Sequence, residues 1–151
     1  MVAKYSGTQA ADGSMFVTLT DGAGNLQSAS AGVVAGSTSL SASSGNVAAA
    51  TAAATLTGAA SLTTYITGFQ VTGGGATAAS TVNVTVTGLL GGTATYAYGA
   101  ELGAAVPNKP LIVAFYPPLP ASAANTSIVV SCPTLGAGNL LNTVNVQGYR
   151  L

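Results

Sequence analysis

Residues 81–88 read TVNVTVTG, an alternation that places Val82, Val84 and Val86 on one face and Asn83, Thr85 and Thr87 on the other. A period of two built from β-branched residues fits an extended strand and little else. From Leu62 onward such runs recur, short, rich in β-branched or aromatic residues, and separated by Gly, Pro or Asn. That pattern predicts an all-β protein, a two-sheet antiparallel sandwich.

The remaining runs differ in what their faces demand. Residues 63–72 (TTYITGFQVT) predict a strand with Tyr65, Thr67, Phe69 and Val71 on one face, Gly68 as a bulge and Gly73, Gly74 and Gly75 as the turn that follows. Residues 93–98 (TATYAY) turn Ala94, Tyr96 and Tyr98 to one side. Residues 111–116 (LIVAFY) are apolar on both faces, which predicts a strand covered on both, by the core and by an arm or a neighbouring subunit. Pro117, Pro118 and Pro120 end it. Residues 126–132 and 143–149 add two alternating strands, giving six from Leu62. Residues 47–56 (VAAATAAATL) set helix-favouring alanines against threonines in a strand-rich context, and are read as a seventh strand.

The first part of the chain differs in kind. Residues 15–20 and 26–30 flank Asp21-Gly-Ala-Gly-Asn25, a hairpin signal, and residues 32–45 have the Ser/Gly composition of a linker. The expected organisation is an N-terminal arm over residues 1–45 and a sandwich over 46–151.

Only Lys4, Asp12, Asp21, Glu101, Lys109 and Arg150 are charged, where an ordinary domain carries roughly 25% charged residues. The surface must therefore be built of Thr, Ser, Asn, Gly and Ala, and without net repulsion it favours association. Three scattered cations cannot track a phosphate backbone, so nucleic acid is not an expected partner. Gly, Ser, Thr and Asn interrupt the uncharged interval before any run of about 18 apolar residues forms, so no membrane span is expected. The N-terminus MVAKYSGTQAADG has no apolar stretch of the length a secretory signal needs, and synthesis in the cytoplasm without export is the expectation.

No enzymatic chemistry is expected. Without histidine, Ser-His-Asp and Cys-His arrangements cannot be assembled, and the lone Cys132 rules out a cysteine zinc cluster and any intrachain disulfide. Cys132 reads as a small buried apolar residue. Asp12 and Asp21 each precede glycine, the position of a turn residue, and Asp21-Gly-Ala-Gly-Asn25 lacks the acidic residue that would close a calcium loop. No cofactor is called for.

The run from Tyr65-Ile-Thr-Gly-Phe-Gln-Val-Thr-Gly through Val82-Asn-Val-Thr-Val-Thr-Gly-Leu-Leu-Gly-Gly-Thr resembles a family of small tailed-bacteriophage virion proteins, the capsid cement or head decoration proteins. So does the ending, with Pro120-Ala-Ser-Ala-Ala-Asn-Thr and Leu135-Gly-Ala-Gly-Asn before Gly148-Tyr-Arg-Leu. The resemblance covers roughly residues 45–151 and implies a jelly roll that forms a dimer or trimer and sits on the outside of a phage head across junctions of the major capsid protein. It brings no residue-level site.

Side chains that an arm cannot bury by itself, Tyr5, Met15, Phe16, Val17, Leu19 and Leu26, are the expected contacts with the capsid or a neighbouring copy. Tyr96 and Tyr98 join them as interface candidates, because Tyr suits a surface that is apolar yet hydrogen-bonds, against the favoured alternative that both line the core. The competing expectation is a receptor- or carbohydrate-binding jelly-roll head of a phage fibre. The absence of Trp and the near absence of charge count against it.

Overall fold

A computed structural model describes residues 7–9, 15–17, 34, 36–103 and 107–151. No helix occurs among the described residues, and the chain divides into two units, Met1–Ser37 and Thr38–Leu151. In the first, β1 (Gly7–Gln9) pairs antiparallel with β2 (Met15–Val17), Thr8 opposite Phe16. The expected turn at residues 21–25 and its second arm at residues 26–30 lie outside the described residues.

Among its described residues the second unit holds eight strands: β3 (Thr38–Ser43), β4 (Ala52–Leu56), β5 (Thr64–Gly74), β6 (Ser80–Leu89), β7 (Gly92–Ala100), β8 (Leu111–Pro120), β9 (Ile128–Cys132) and β10 (Leu141–Arg150). They form two four-stranded sheets, ordered β3-β10-β5-β8 and β4-β9-β6-β7. The pairs β6–β7, β5–β8, β4–β9 and β3–β10 nest one outside another, so the chain is a long antiparallel ladder folded over on itself, with β5–β10 and β6–β9 closing each sheet. This is the jelly-roll order.

Alternation explains the layers. In β6, Val84 and Val86 turn inward and are fully buried, meeting Ile128 and Val130 of β9, Ile66 and Val71 of β5, and Val144 and Val146 of β10 in one core. Each such side chain contributes about 1.5–3 kcal/mol through removal from water.

Three sequence expectations change. The linker at residues 32–45 contains β3, which runs along β10 from Arg150↔Thr38 to Asn145↔Ser43. Only Leu40 and Ala42 of this strand pack on the core, so its apolar signal is faint beneath serine. The sandwich therefore starts at Thr38, with eight strands in place of seven.

The second change is one of phase within β5. Gln147 pairs with Gly68 but Gly148 pairs with Ile66, which leaves Thr67 as the extra residue of a bulge. Burial switches parity there, from Thr64 and Ile66 to Phe69 and Val71. Tyr65 consequently lies on the outer face, stacked on Tyr149 with ring centroids 4.9 Å apart. At the same bulge the sheets approach closely: a Cβ on Gly148 would run into the Tyr65 carbonyl and the Leu56 side chain.

The third concerns residues 111–116 and the prolines after them, which do not end the strand: β8 runs on to Pro120, with Leu119 opposite Ile66 and Pro120 opposite Tyr65. Leu111, Val113 and Phe115 pack on the core, whereas Ile112, Ala114 and Tyr116 face outward and are exposed. β8 ends its sheet, so this strand is an edge with one bare apolar face.

Candidate functional site

Two surfaces stand out, and the first is one end of the sandwich. The connections over residues 44–51, 75–79 and 133–140, and the described parts of the β7–β8 connection, residues 101–103 and 107–110, all leave the strands there. Backbone bonds tie them together: Val47 N–H donates to Asn142 O (2.9 Å), Ala49 to Asn139 O (2.9 Å), Thr77 to Ala137 O (2.9 Å) and Gly103 to Ala76 O (3.0 Å).

Three buried asparagines hold this end from within. The Asn142 Nδ2 donates to the carbonyls of Pro133 (3.0 Å), Ala50 (3.3 Å) and Cys132 (3.3 Å), while its backbone N–H reaches Asn46 Oδ1 (3.2 Å). Asn139 donates to Leu141 O (2.8 Å) and accepts from the Thr134 hydroxyl (3.2 Å). The Asn108 Oδ1 accepts from Glu101 N–H (2.8 Å), and its backbone N–H donates to Gly73 O (2.8 Å). Irregular backbone cannot satisfy itself as a ladder does, and the amides supply partners to it, although Asn142 Oδ1 and Asn108 Nδ2 are themselves buried without one. Against this frame Cys132 is fully buried, and burial pushes its thiol up to about 11 although the Asn142 amide pulls the other way.

What this end presents outward is apolar. Leu102, Leu140 and Leu141 are all more than half exposed. Leu140 N–H donates to Gly74 O (3.2 Å) and Gly103 N–H to Ala76 O (3.0 Å), so Leu140 and Leu102 flank the same short segment. A concavity of about 740 Å³ lies beside it, between the end of β7 and the start of β8, lined by Ser80, Tyr98, Glu101 and Lys109 among others. Burial raises the Tyr98 hydroxyl above its ordinary range, partly offset by the Asn108 amide. No group of three or more His, Cys, Asp or Glu that could hold a metal ion assembles among the described residues.

The second surface is the outer face of the sheet that ends in β8. Ile112 is 70% exposed and Tyr116 fully so. A shallow groove of about 240 Å³ beside Ile112 is lined by Thr67, Gln70, Asn145 and Gln147.

The expected contact residues distribute differently. Tyr96 and Tyr98 point between the sheets: Tyr96 meets Phe69 edge to face at 5.3 Å, and Tyr98 is only 4% exposed. They belong to the core, because the alternation that aligned them with Ala94 is the inward phase of β7. Met15, Phe16 and Val17 form β2, but their side chains, together with Tyr5, Leu19 and Leu26, lie outside the described residues. The buried asparagines escaped sequence reading, since Asn in a loop signals a turn and not a buried partner. No protein-family model, curated protein or solved structure matches the chain.

Proposed function

We propose that the protein is a structural virion component, a cement or decoration protein that docks on the outside of a phage head against the major capsid protein and carries out no chemistry. The observation that carries this reading is the asparagine-held loop end with Leu102, Leu140 and Leu141 turned to solvent. A frame in which Asn142, Asn139 and Asn108 tie the loops to one another holds apolar side chains without reorganisation on binding, which lowers the entropic cost of association. The uncharged surface adds no repulsion from a lattice of either sign. Repeated copies on one lattice resist expansion because each later contact is effectively intramolecular. The resemblance of residues 45–151 supplies the phage head as the partner.

Cosedimentation of the full chain with purified heads tests it. Saturable binding is expected, with Leu102→Glu and Leu140→Glu each reducing occupancy at least tenfold while the sandwich stays folded. Undiminished occupancy of both variants would remove the loop end from the reading; no binding by the wild type would remove the reading itself.

The amides of Gln70, Asn145 and Gln147 around a groove beside exposed Ile112 and Tyr116 favour one second reading, a glycan-binding fibre head. Glycan-array binding lost on Gln147→Ala, without head binding, would select it.

A further inference from the structure

We propose that the concavity between the end of β7 and the start of β8 binds a small zwitterion, an α-amino acid with an apolar side chain, whose carboxylate is taken by Lys109 and whose ammonium is taken by Glu101. The site goes beyond the docking reading and does not depend on it.

The placement of charge carries the argument. From Thr38 to Leu151 the charged side chains are Glu101, Lys109 and Arg150. Arg150 is the last residue of β10, opposite Thr64, at the far end of the sandwich. The other two, of opposite sign, line the same concavity of about 740 Å³, a size within the range of small-molecule sites. The two stretches of chain that carry them are tied together. Asn108, next to Lys109, accepts the Glu101 N–H on its Oδ1 (2.8 Å) and donates its own N–H to Gly73 O (2.8 Å). A held pair of unlike charges selects a ligand that carries both signs, because an ion of one sign gains one contact and meets one repulsion.

The floor gives a second, independent sign of a ligand. Tyr98 lines the concavity and is 4% exposed, and its Oη has no hydrogen-bond partner. Asn108 is equally buried, and with its Oδ1 committed to Glu101 its Nδ2 has none either. Buried polar groups are seldom left so. The Asn108 amide faces the Tyr98 hydroxyl. Even a bond from Nδ2 to Oη would leave the Tyr98 O–H and the second amide hydrogen to place. What these groups lack is an acceptor, and a carboxylate seated on Lys109 is one. Glu101 remains for a donor, which the ammonium supplies. Ala79, Ala100, Pro110 and Leu111 add an apolar wall for the side chain between the two ends.

A titration of the full, nitrogen-15-labelled chain followed by NMR tests the site, with L-phenylalanine as the probe. N-acetyl-L-phenylalanine, which lacks the ammonium, and phenethylamine, which lacks the carboxylate, are the comparison ligands. L-phenylalanine is expected to shift the amides of Tyr98, Glu101 and Asn108 saturably, and each comparison ligand to bind about fivefold more weakly, the worth of one exposed ion pair. Glu101→Gln and Lys109→Gln change exposed side chains and leave the fold intact. Glu101→Gln then binds L-phenylalanine and its N-acetyl form alike, and Lys109→Gln binds L-phenylalanine and phenethylamine alike, since the missing charge no longer reads the missing group. Tyr98→Phe, which keeps the ring, weakens the two carboxylate ligands and leaves phenethylamine unchanged. No saturable shift with millimolar L-phenylalanine, equal binding of all three ligands by the wild type, or wild-type discrimination persisting in both charge variants overturns the proposal.

Discussion

Phe69 of β5 and Tyr96 of β7 meet edge to face across the two sheets, ring centroids 5.3 Å apart and planes at 68°. Phe115 of β8 joins them at 6.1 Å from Phe69. The cluster fills the side of the sandwich where β7 and β8 are the terminal strands. Truncating Tyr96 to Ala therefore opens a cavity between sheets and is expected to cost about 2–4 kcal/mol in urea unfolding. Tyr116→Ala, at a side chain of β8 that is fully exposed, should stay within about 0.5 kcal/mol. Equal losses would mean that one of the two rings is misassigned.

Asn142 governs the loop end in the same quantitative sense. Its fully buried amide serves three carbonyls, those of Ala50, Cys132 and Pro133. Asn142→Ala leaves buried acceptors unpaired and is expected to lower stability by about 2–3 kcal/mol. Hydrogen exchange should quicken most at Ala49, whose N–H donates to Asn139 O, and at Thr77, whose N–H donates to Ala137 O. Protection unchanged at both amides would show that the loops hold without the asparagine.

The parts of this fold that are legible in sequence are those where two adjacent faces have opposite requirements. Val82, Val84 and Val86 announce β6 because Asn83, Thr85 and Thr87 intervene. The bulge in β5 was signalled by Gly68, yet the extra residue is Thr67, and a shift of one exchanges the faces of everything before it. β3 was hidden because an edge strand needs only Leu40 and Ala42 to attach, and its remaining residues look like linker. For β8 the composition is apolar on both faces, and composition cannot distinguish a face covered by the same chain from one left bare. The candidate site was the least legible part. Asn108, Asn139 and Asn142 act through long-range carbonyls, and no local spacing encodes that.

Close approach rather than turn geometry makes Gly148 irreplaceable. It lies at the β10 side of the bulge, where an added Cβ would meet the Tyr65 carbonyl and the Leu56 Cδ1. Backbone cannot give way there without parting β10 from β5, so Gly148→Ala is expected to destabilise by more than about 3 kcal/mol or prevent folding. Gly91→Ala, where a Cβ meets nothing within 4 Å, is the matched control and should fold normally. Soluble yield and urea midpoint read the contrast.

Alkaline pH should expose the core thiol. Cys132 is held protonated by burial up to about 11, against an ordinary value of 9.0. Between those values the unfolded chain releases the proton and the native one keeps it, so the native state binds more protons and stability falls as pH rises. The contribution is complete below pH 9.0 and gone above about 11, a loss of about 2–3 kcal/mol. Tyr98, also raised by burial, adds to the decline at the upper end of that window. Melting temperatures followed through this range should fall for the wild type and fall less for Cys132→Ala, which starts lower because it leaves a small void but carries no thiol to ionise. Native Cys132 should likewise remain unreactive toward a thiol reagent until unfolding exposes it. An identical alkaline slope in Cys132→Ala would assign the decline to the tyrosines alone.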